Sequence, residues 1–374
     1  MSQPERRAVP VLSVMDMVPV SAGCSRTDAL TDMIALARAA DAAGYERYWL
    51  AEHHGSTTYL SSATIVLMGQ VLAATERIGV ASGGIMLPNH APLVVAEQVG
   101  TLALLYPGRV ALGLGRAPGT DAVTARALRR RSADPRRFAD EVREILGYLG
   151  PGPDADAAVP GSLWPARPAP SAGGVQADKQ DKPQTSPLPP APEPTVVRAI
   201  PGEGTSPQTW ILGSSVTGAR VAGEMRLPFA VASHFAPSQA EAAMATYRSV
   251  LADAPQPVRP RVAAAVNVVL APTCQEAQRL FTTAMTAAAR VVGGRPGPLD
   301  PPTPDLEAWR ALAPGRERAV ESSMALSFVG TPQEVVPRLR ALARRWGLDE
   351  LLVVTTVHDP LLRRRSYELL AAAW

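Results

Sequence analysis

The residues able to do chemistry fall in a few short runs. Glu52-His53-His54 sets a carboxylate beside two imidazoles, and the remaining histidines are His90, His234 and His358. Histidine changes charge near neutral pH, so these positions suit proton transfer. Gly83-Gly84 interrupts an apolar run. Paired glycines in a strand mark a bulge or the close approach of another group. A flat ring stacked on that backbone would explain them, and so would tight packing in the interior. Gly213-Ser214-Ser215 leads into a helical stretch. Amides and hydroxyls at a helix start attract an anion, and Arg116 can offer the same anion a bidentate cation. A plain serine N-cap is the simpler account of Ser215. A metal site is not expected. Adjacent histidines at a strand end point in opposite directions, and no His-x-His or His-Glu-x-x-His spacing occurs.

These runs share one structural position. The segments 11–15, 47–51, 78–83, 110–114, 210–212, 229–232, 262–270 and 350–355 are short and apolar, and helical spacing follows each of them. Continuous apolar strands separated by helices make a parallel sheet covered on both faces. Eight such units close into a (β/α)8 TIM barrel, an α/β fold. An open doubly wound sheet would want Gly-x-Gly-x-x-Gly after its first strand. Gly113-Leu114-Gly115 lacks the third glycine and sits at the fourth strand. In a barrel, function collects at the C-terminal ends of strands. All the histidines follow predicted strands there. Met15, Asp16, His90, His234, Phe235 and His358 are the expected substrate-pocket residues.

Composition narrows the field. Lys and Arg number 37 against 34 Asp and Glu, a net charge of +3, so polyelectrolyte binding to nucleic acid is not the expected function. Two cysteines, Cys24 and Cys274, cannot build a disulfide framework. No apolar run reaches the ~18 residues of a membrane span, and the N-terminus has no apolar signal core. A soluble cytoplasmic protein with no membrane partner is expected. Of the 37 prolines, 12 fall within 151–194. That segment reads as a poorly ordered Pro-rich insertion between the fourth and fifth strands. The rest reads as one barrel domain over 1–374, with a lid-like loop excursion at 293–327 between the seventh and eighth strands.

In order along the chain, several motifs resemble the bacterial-luciferase-like flavin monooxygenase family, and within it the subgroup associated with antibiotic biosynthesis. They are Tyr48-Trp49-Leu50-Ala51-Glu52-His53-His54, the run from Gly83 to Pro92, Pro107-Gly108-Arg109-Val110, the run from Gly113 to Asp121, Trp210-Ile211-Leu212-Gly213-Ser214-Ser215 and Phe328-Val329-Gly330-Thr331-Pro332. The resemblance implies a luciferase-like barrel that takes reduced FMN from a separate flavin reductase. With O2 as co-substrate, a C4a-(hydro)peroxyflavin would oxygenate a hydrophobic small molecule. It implies His53 as the catalytic proton handler, with His54 beside it. It places the flavin phosphate on Arg116, Gly213, Ser214, Ser215 and Thr217. It puts a cis peptide at Gly83–Gly84 beneath the flavin ring, and a homodimer contact on the helix at 62–75, which is apolar nearly all round. Gly115 stands where the luciferase has a reactive cysteine, so light emission is not implied. The same superfamily holds F420-dependent hydride-transfer oxidoreductases and a subunit without its own active site, and both remain alternatives.

Overall fold

The computed structural model describes residues 9–117, 119–129, 134–151, 197–254 and 259–374. The expected insertion at 151–194 lies, Pro151 apart, outside the described residues, as does Pro118 of the strand-end motif.

The elements run β1 (Val11–Asp16), α1 (Arg26–Ala42), β2 (Arg47–Leu50), α2 (Thr64–Ala74), β3 (Gly79–Ser82), β4 (Ile85–Met86), α3 (Pro92–Leu105), β5 (Val110–Gly115), α4 (Ala122–Ala127) and α5 (Pro135–Leu149). The second half holds β6 (Gln208–Gly213), α6 (Val216–Glu224), β7 (Phe229–Val231), α7 (Ala240–Ala252), β8 (Val262–Leu270) and α8 (Cys274–Val292). It ends with α9 (Glu317–Ser323), β9 (Ser327–Gly330), α10 (Pro332–Trp346), β10 (Glu350–Val354) and α11 (Pro360–Ala373). Local signals set the boundaries. Ser25 Oγ accepts the Asp28 amide at 3.1 Å, and the Asp28 carboxylate accepts the Ser25 amide at 2.8 Å, which starts α1. Gly44, at φ +80°, turns the chain toward β2.

The strands pair in parallel in the order β10-β1-β2-β3-β5-β6-β7-β8, and a further β10–β8 pairing closes the eight-stranded barrel. β4 continues the path of β3 beyond Gly83-Gly84 and pairs with β5, Ile85 opposite Leu114. β9 is an additional strand. The lower half of β8 pairs with β10, and its upper half, from Asn267 to Leu270, pairs with β9. Four residues that alternate in burial give too short a signal to stand out in the sequence. The excursion at 293–327 is not a plain loop. It holds a 3-10 turn at Ala308–Leu312 and α9. Leu299 exchanges backbone hydrogen bonds with Val20 and Ala22, each 2.8 Å, and Thr58 Oγ1 donates to the Gly297 carbonyl at 2.8 Å. The excursion is thereby fastened to the segments that follow β1 and β2.

Inward-facing side chains alternate along each strand. Ala51, Ala81, Ala111, Ala230, Ala263 and Ala265 are small, which makes room for the indoles of Trp49 and Trp210. The two rings meet edge to face at 5.5 Å and 81°. Beneath them Glu350 closes the N-terminal end. Its Oε1 accepts from Ser13 Oγ at 2.6 Å and Trp49 Nε1 at 2.9 Å, and its Oε2 accepts from Arg47 Nη1 at 2.5 Å. Arg47 also donates to Gln208 Oε1 at 2.9 Å, so the floor ties β1, β2, β6 and β10 together.

Asp16 corrects an expectation. It does not line a pocket. Fully buried, its Oδ1 accepts from the Val18 amide at 2.8 Å and Arg363 Nη2 at 2.7 Å, and its Oδ2 accepts from the Tyr48 hydroxyl. It clamps β1 to α11. Met15 is likewise buried in the barrel interior, with its sulfur beside Gly83.

Removing one partner of a buried ion pair strands the other's charge, at about 3–5 kcal/mol. Glu350→Ala should therefore lower unfolding stability in denaturant titration by about that amount, and Glu350→Gln by less. A Glu350→Ala loss below about 1 kcal/mol would contradict the role given to the floor.

Candidate active site

Glu52, immediately after β2, is fully buried and saturated with donors. Its Oε1 accepts from His54 Nε2 at 2.8 Å, His90 Nε2 at 2.9 Å and Asn89 Nδ2 at 3.1 Å. Its Oε2 accepts from the Met86 amide at 3.1 Å and lies 3.0 Å from His90 Nε2. A carboxylate only accepts, so the proton of each neutral imidazole is assigned to Nε2. Burial opposes ionisation of Glu52. Donation from His54 and His90, charge on His90 and donation from Asn89 outweigh it and hold the carboxyl at about 2. One side chain thus ties the end of β2 to β4 and the turn after it. The segment after β5 joins them, since the His54 amide donates to the Gly119 carbonyl at 3.1 Å and Thr120 Oγ1 to the His54 carbonyl at 2.9 Å.

The network sorts the five histidines. His54 and His90 spend Nε2 on Glu52, and His358 Nε2 donates to the Ala22 carbonyl at 3.0 Å. The half-buried rings of His53 and His234 hydrogen-bond no described residue, and the Nδ1 of each is buried without a partner. His53 packs on Tyr59 at 5.2 Å, and His234 on Phe235 at 5.0 Å. Burial lowers the His53 imidazole below its ordinary value, against the pull of Glu52. Burial, with the charge of His53 added, takes His234 down to about 4. His53 and His54 were expected to share a catalytic role. The geometry separates them, with His54 held as scaffold and His53 left unpartnered.

The peptide bond between Gly83 and Gly84 is cis. A Cβ at Gly83 would come within 2.9 Å of Met15 Sδ, and one at Gly84 within 2.7 Å of the Gly113 carbonyl oxygen. Tight packing favours glycine at both positions. At the neighbouring strand ends, Gly115 of β5 pairs with Leu212 of β6, which sets Arg116 beside Gly213. Ser215 caps α6, its Oγ accepting the Gly218 amide at 3.4 Å. A Cβ at Gly213 would meet nothing closer than 3.8 Å, so this corner is open. The first amides of α6 lack intrahelical partners, as at any helix start. Half-buried Ser214 and exposed Thr217 border the corner. Arginine, serine hydroxyls and helix-start amides together suit a phosphate.

Sequence reasoning missed the weight of Glu52. It also missed His90 and Asn89 as its partners. Glu52, His54 and His90 bring three ligand-type atoms within 4.8 Å of one another, a set that adjacency of His53 and His54 alone does not suggest. Direct hydrogen bonds account for that closeness. The usable signal was a glutamate at the end of an apolar strand, where an ionised carboxylate needs several donors.

A closed parallel barrel whose imidazoles, open corner at Arg116 and Gly213 to Ser215 and buried carboxylate share the C-terminal rim has the build of a TIM-barrel enzyme. The chain belongs to the luciferase-like monooxygenase family, whose pattern it matches over residues 12–350. It is 37% identical to the Bacillus subtilis protein YvbT over 364 residues, 97% of this chain and 96% of the relative. It is 36% identical to a luciferase-like monooxygenase of Escherichia coli over 358 residues, 96% and 95% of the two chains. The crystal structure of apo-MsnO8 superposes with TM-score 0.76 at 33% identity, covering 98% of each chain. More distant structures share the fold. They include the FMN-bound oxygenating constituent of 3,6-diketocamphane monooxygenase, at 20% identity and TM-score 0.66 with 97% of each chain covered. An F420-dependent secondary alcohol dehydrogenase, at 14% and 0.65 with 98% and 99% covered, is another. Among the described residues no helix is long and apolar enough to cross a membrane.

The Glu52 carboxyl titrates near 2 in the fold against about 4.5 in the open chain. Its contribution is complete above the unfolded value and is lost as pH falls from about 4.5 toward 2, roughly 3 kcal/mol in all. Urea titrations at falling pH should show this acid-dependent loss in the wild type and a shallower slope in Glu52→Gln. Equal slopes would contradict the assignment.

Proposed function

We propose that this protein is a two-component flavin monooxygenase that takes reduced FMN from a separate reductase and uses O2 to oxygenate a hydrophobic small molecule. The carrying observation is the pairing at the rim of an unpartnered, half-buried imidazole, His53, with a phosphate-type corner at Arg116, Gly213, Ser214 and Ser215. Family membership supports an oxidoreductase, and an FMN-bound monooxygenase shares the fold. The bound flavin would supply the capacity to activate O2. Arg116, the Ser214 and Ser215 hydroxyls and the first amides of α6 would hold its phosphate. Thr217, exposed beside them, is a secondary candidate. His53 would hold or move a proton at its ring nitrogen next to the reacting centre. Apolar Met17 and Leu212, the half-buried side chains above the barrel interior, would form the floor against which an apolar substrate packs. The 293–327 excursion would cover the site and exclude water. A hydrophobic metabolite from a biosynthetic sequence is the substrate class this reading favours.

A homodimer belongs to the same reading. Val66 of α2 and Leu104 and Leu105 of α3 are 64%, 61% and 65% exposed, an apolar cost that a second copy of this chain would remove. Sedimentation at micromolar concentration should show a dimer, and Leu105→Arg with Val66→Arg should shift it to monomer. A monomeric wild type would refute this part.

Cofactor choice is tested by equilibrium binding. FMN should bind at least about tenfold more tightly than riboflavin, and Arg116→Ala should erase most of that difference. Enzyme-bound FMNH2 should reoxidise in air more slowly than free FMNH2, and His53→Ala should bring the rate back toward the free value. Preferential binding of reduced F420, with no FMNH2 protection, would favour the hydride-transfer alternative. Binding without any turnover in the presence of a reductase would favour a non-catalytic subunit.

A further inference from the structure

His53 and His234 sit on opposite walls of the barrel. In the closed ring of strands β2 and β7 are four places apart, and each histidine follows the C-terminal end of its strand. Both rings leave a buried Nδ1 without a partner. An unsatisfied buried polar atom costs about 1–3 kcal/mol, so two at one rim call for an explanation. The nearby carboxylates do not supply one. Those of Asp16 and Glu52 are filled by Val18, Tyr48 and Arg363 and by Met86, Asn89, His54 and His90. Tyr59 packs against one ring and Phe235 against the other.

We propose that His53 and His234 form a two-sided hydrogen-bonding clamp across the barrel mouth, and that the ligand group it takes is an uncharged hydroxyl or carbonyl on an apolar skeleton. A neutral imidazole donates at one nitrogen and accepts at the other, so the pair can satisfy both the proton and the lone pairs of a hydroxyl, or both lone pairs of a carbonyl. A carboxylate would need a cation, and among the described strand ends Arg116 is, on the monooxygenase reading, assigned to the phosphate. An ammonium would need a carboxylate, and Asp16 and Glu52, the described carboxylates at the ends of β1 and β2, are already filled. The inference deepens the monooxygenase reading by naming the functional group its substrate carries, and it rests on that reading for the commitment of Arg116.

The test is site-resolved modification of the wild-type protein by diethyl pyrocarbonate, read by peptide mass spectrometry, with 2-naphthol, 2-naphthoate or 2-naphthylmethylammonium as the competing probe. His53 and His234 should modify faster than His54, His90 and His358, whose Nε2 atoms are engaged. The alcohol should slow both His53 and His234 together, by about tenfold near saturation, and the two ions should leave them unchanged. Uniform modification of all five histidines would overturn the proposal. So would protection of only one of the pair, protection by naphthoate equal to that by naphthol, or no protection by naphthol. The measurement involves neither flavin nor oxygen, so its failure is separable from failure of the monooxygenase reading.

Discussion

The buried carboxylate of Glu52 is the constraint on which the rim of this barrel depends. An ionised carboxylate out of water is tolerable only when donors surround it. The chain brings those donors from Asn89, His90, the Met86 amide and His54. Gathering them forces three segments, after β2, β4 and β5, into one arrangement. Adjacent histidines then end up in different chemical states. His54 becomes part of the scaffold, while His53, directed elsewhere by the alternation of the backbone, keeps both ring nitrogens unspent.

The barrel interior supports that rim through size rather than polarity. Rows of alanine admit two tryptophans, and the indole of Trp49 reaches down to Glu350 in the floor. Gly84 and Gly113 let the chain after β3 approach β5 at distances that a Cβ would block, and Gly83 lies against the Met15 side chain. The same glycines suggested a ring-binding platform in the sequence. In the fold, contacts with neighbouring protein atoms favour glycine at these positions.

Much of this was legible beforehand because strand and helix signals alternate strongly. All eight barrel strands correspond to apolar segments flanked by helical spacing, and the fully buried nine residues of β8 are the clearest case. β9 escaped notice because four residues with alternating burial carry little pattern. The excursion at 293–327 looked like a loop since prolines punctuate it, yet its later part coils into a 3-10 turn and α9. Side-chain commitments were the least legible. Nothing local to Asp16 announces that Arg363, 347 positions away, neutralises it, and nothing local to His90 announces its bond to Glu52. Such pairings depend on closure of the barrel, which residue types near one strand end do not encode.

The division of the histidines is the central claim, and nitrogen-15 NMR of the imidazole rings measures it directly. At mildly alkaline pH, His54 and His90 should each show a slowly exchanging proton on Nε2, hydrogen-bonded to Glu52, and both should be lost together in Glu52→Gln. His53 and His234 should show no protected ring proton. A protected proton on His53, or rapid exchange at both His54 and His90 in the wild type, would contradict the account.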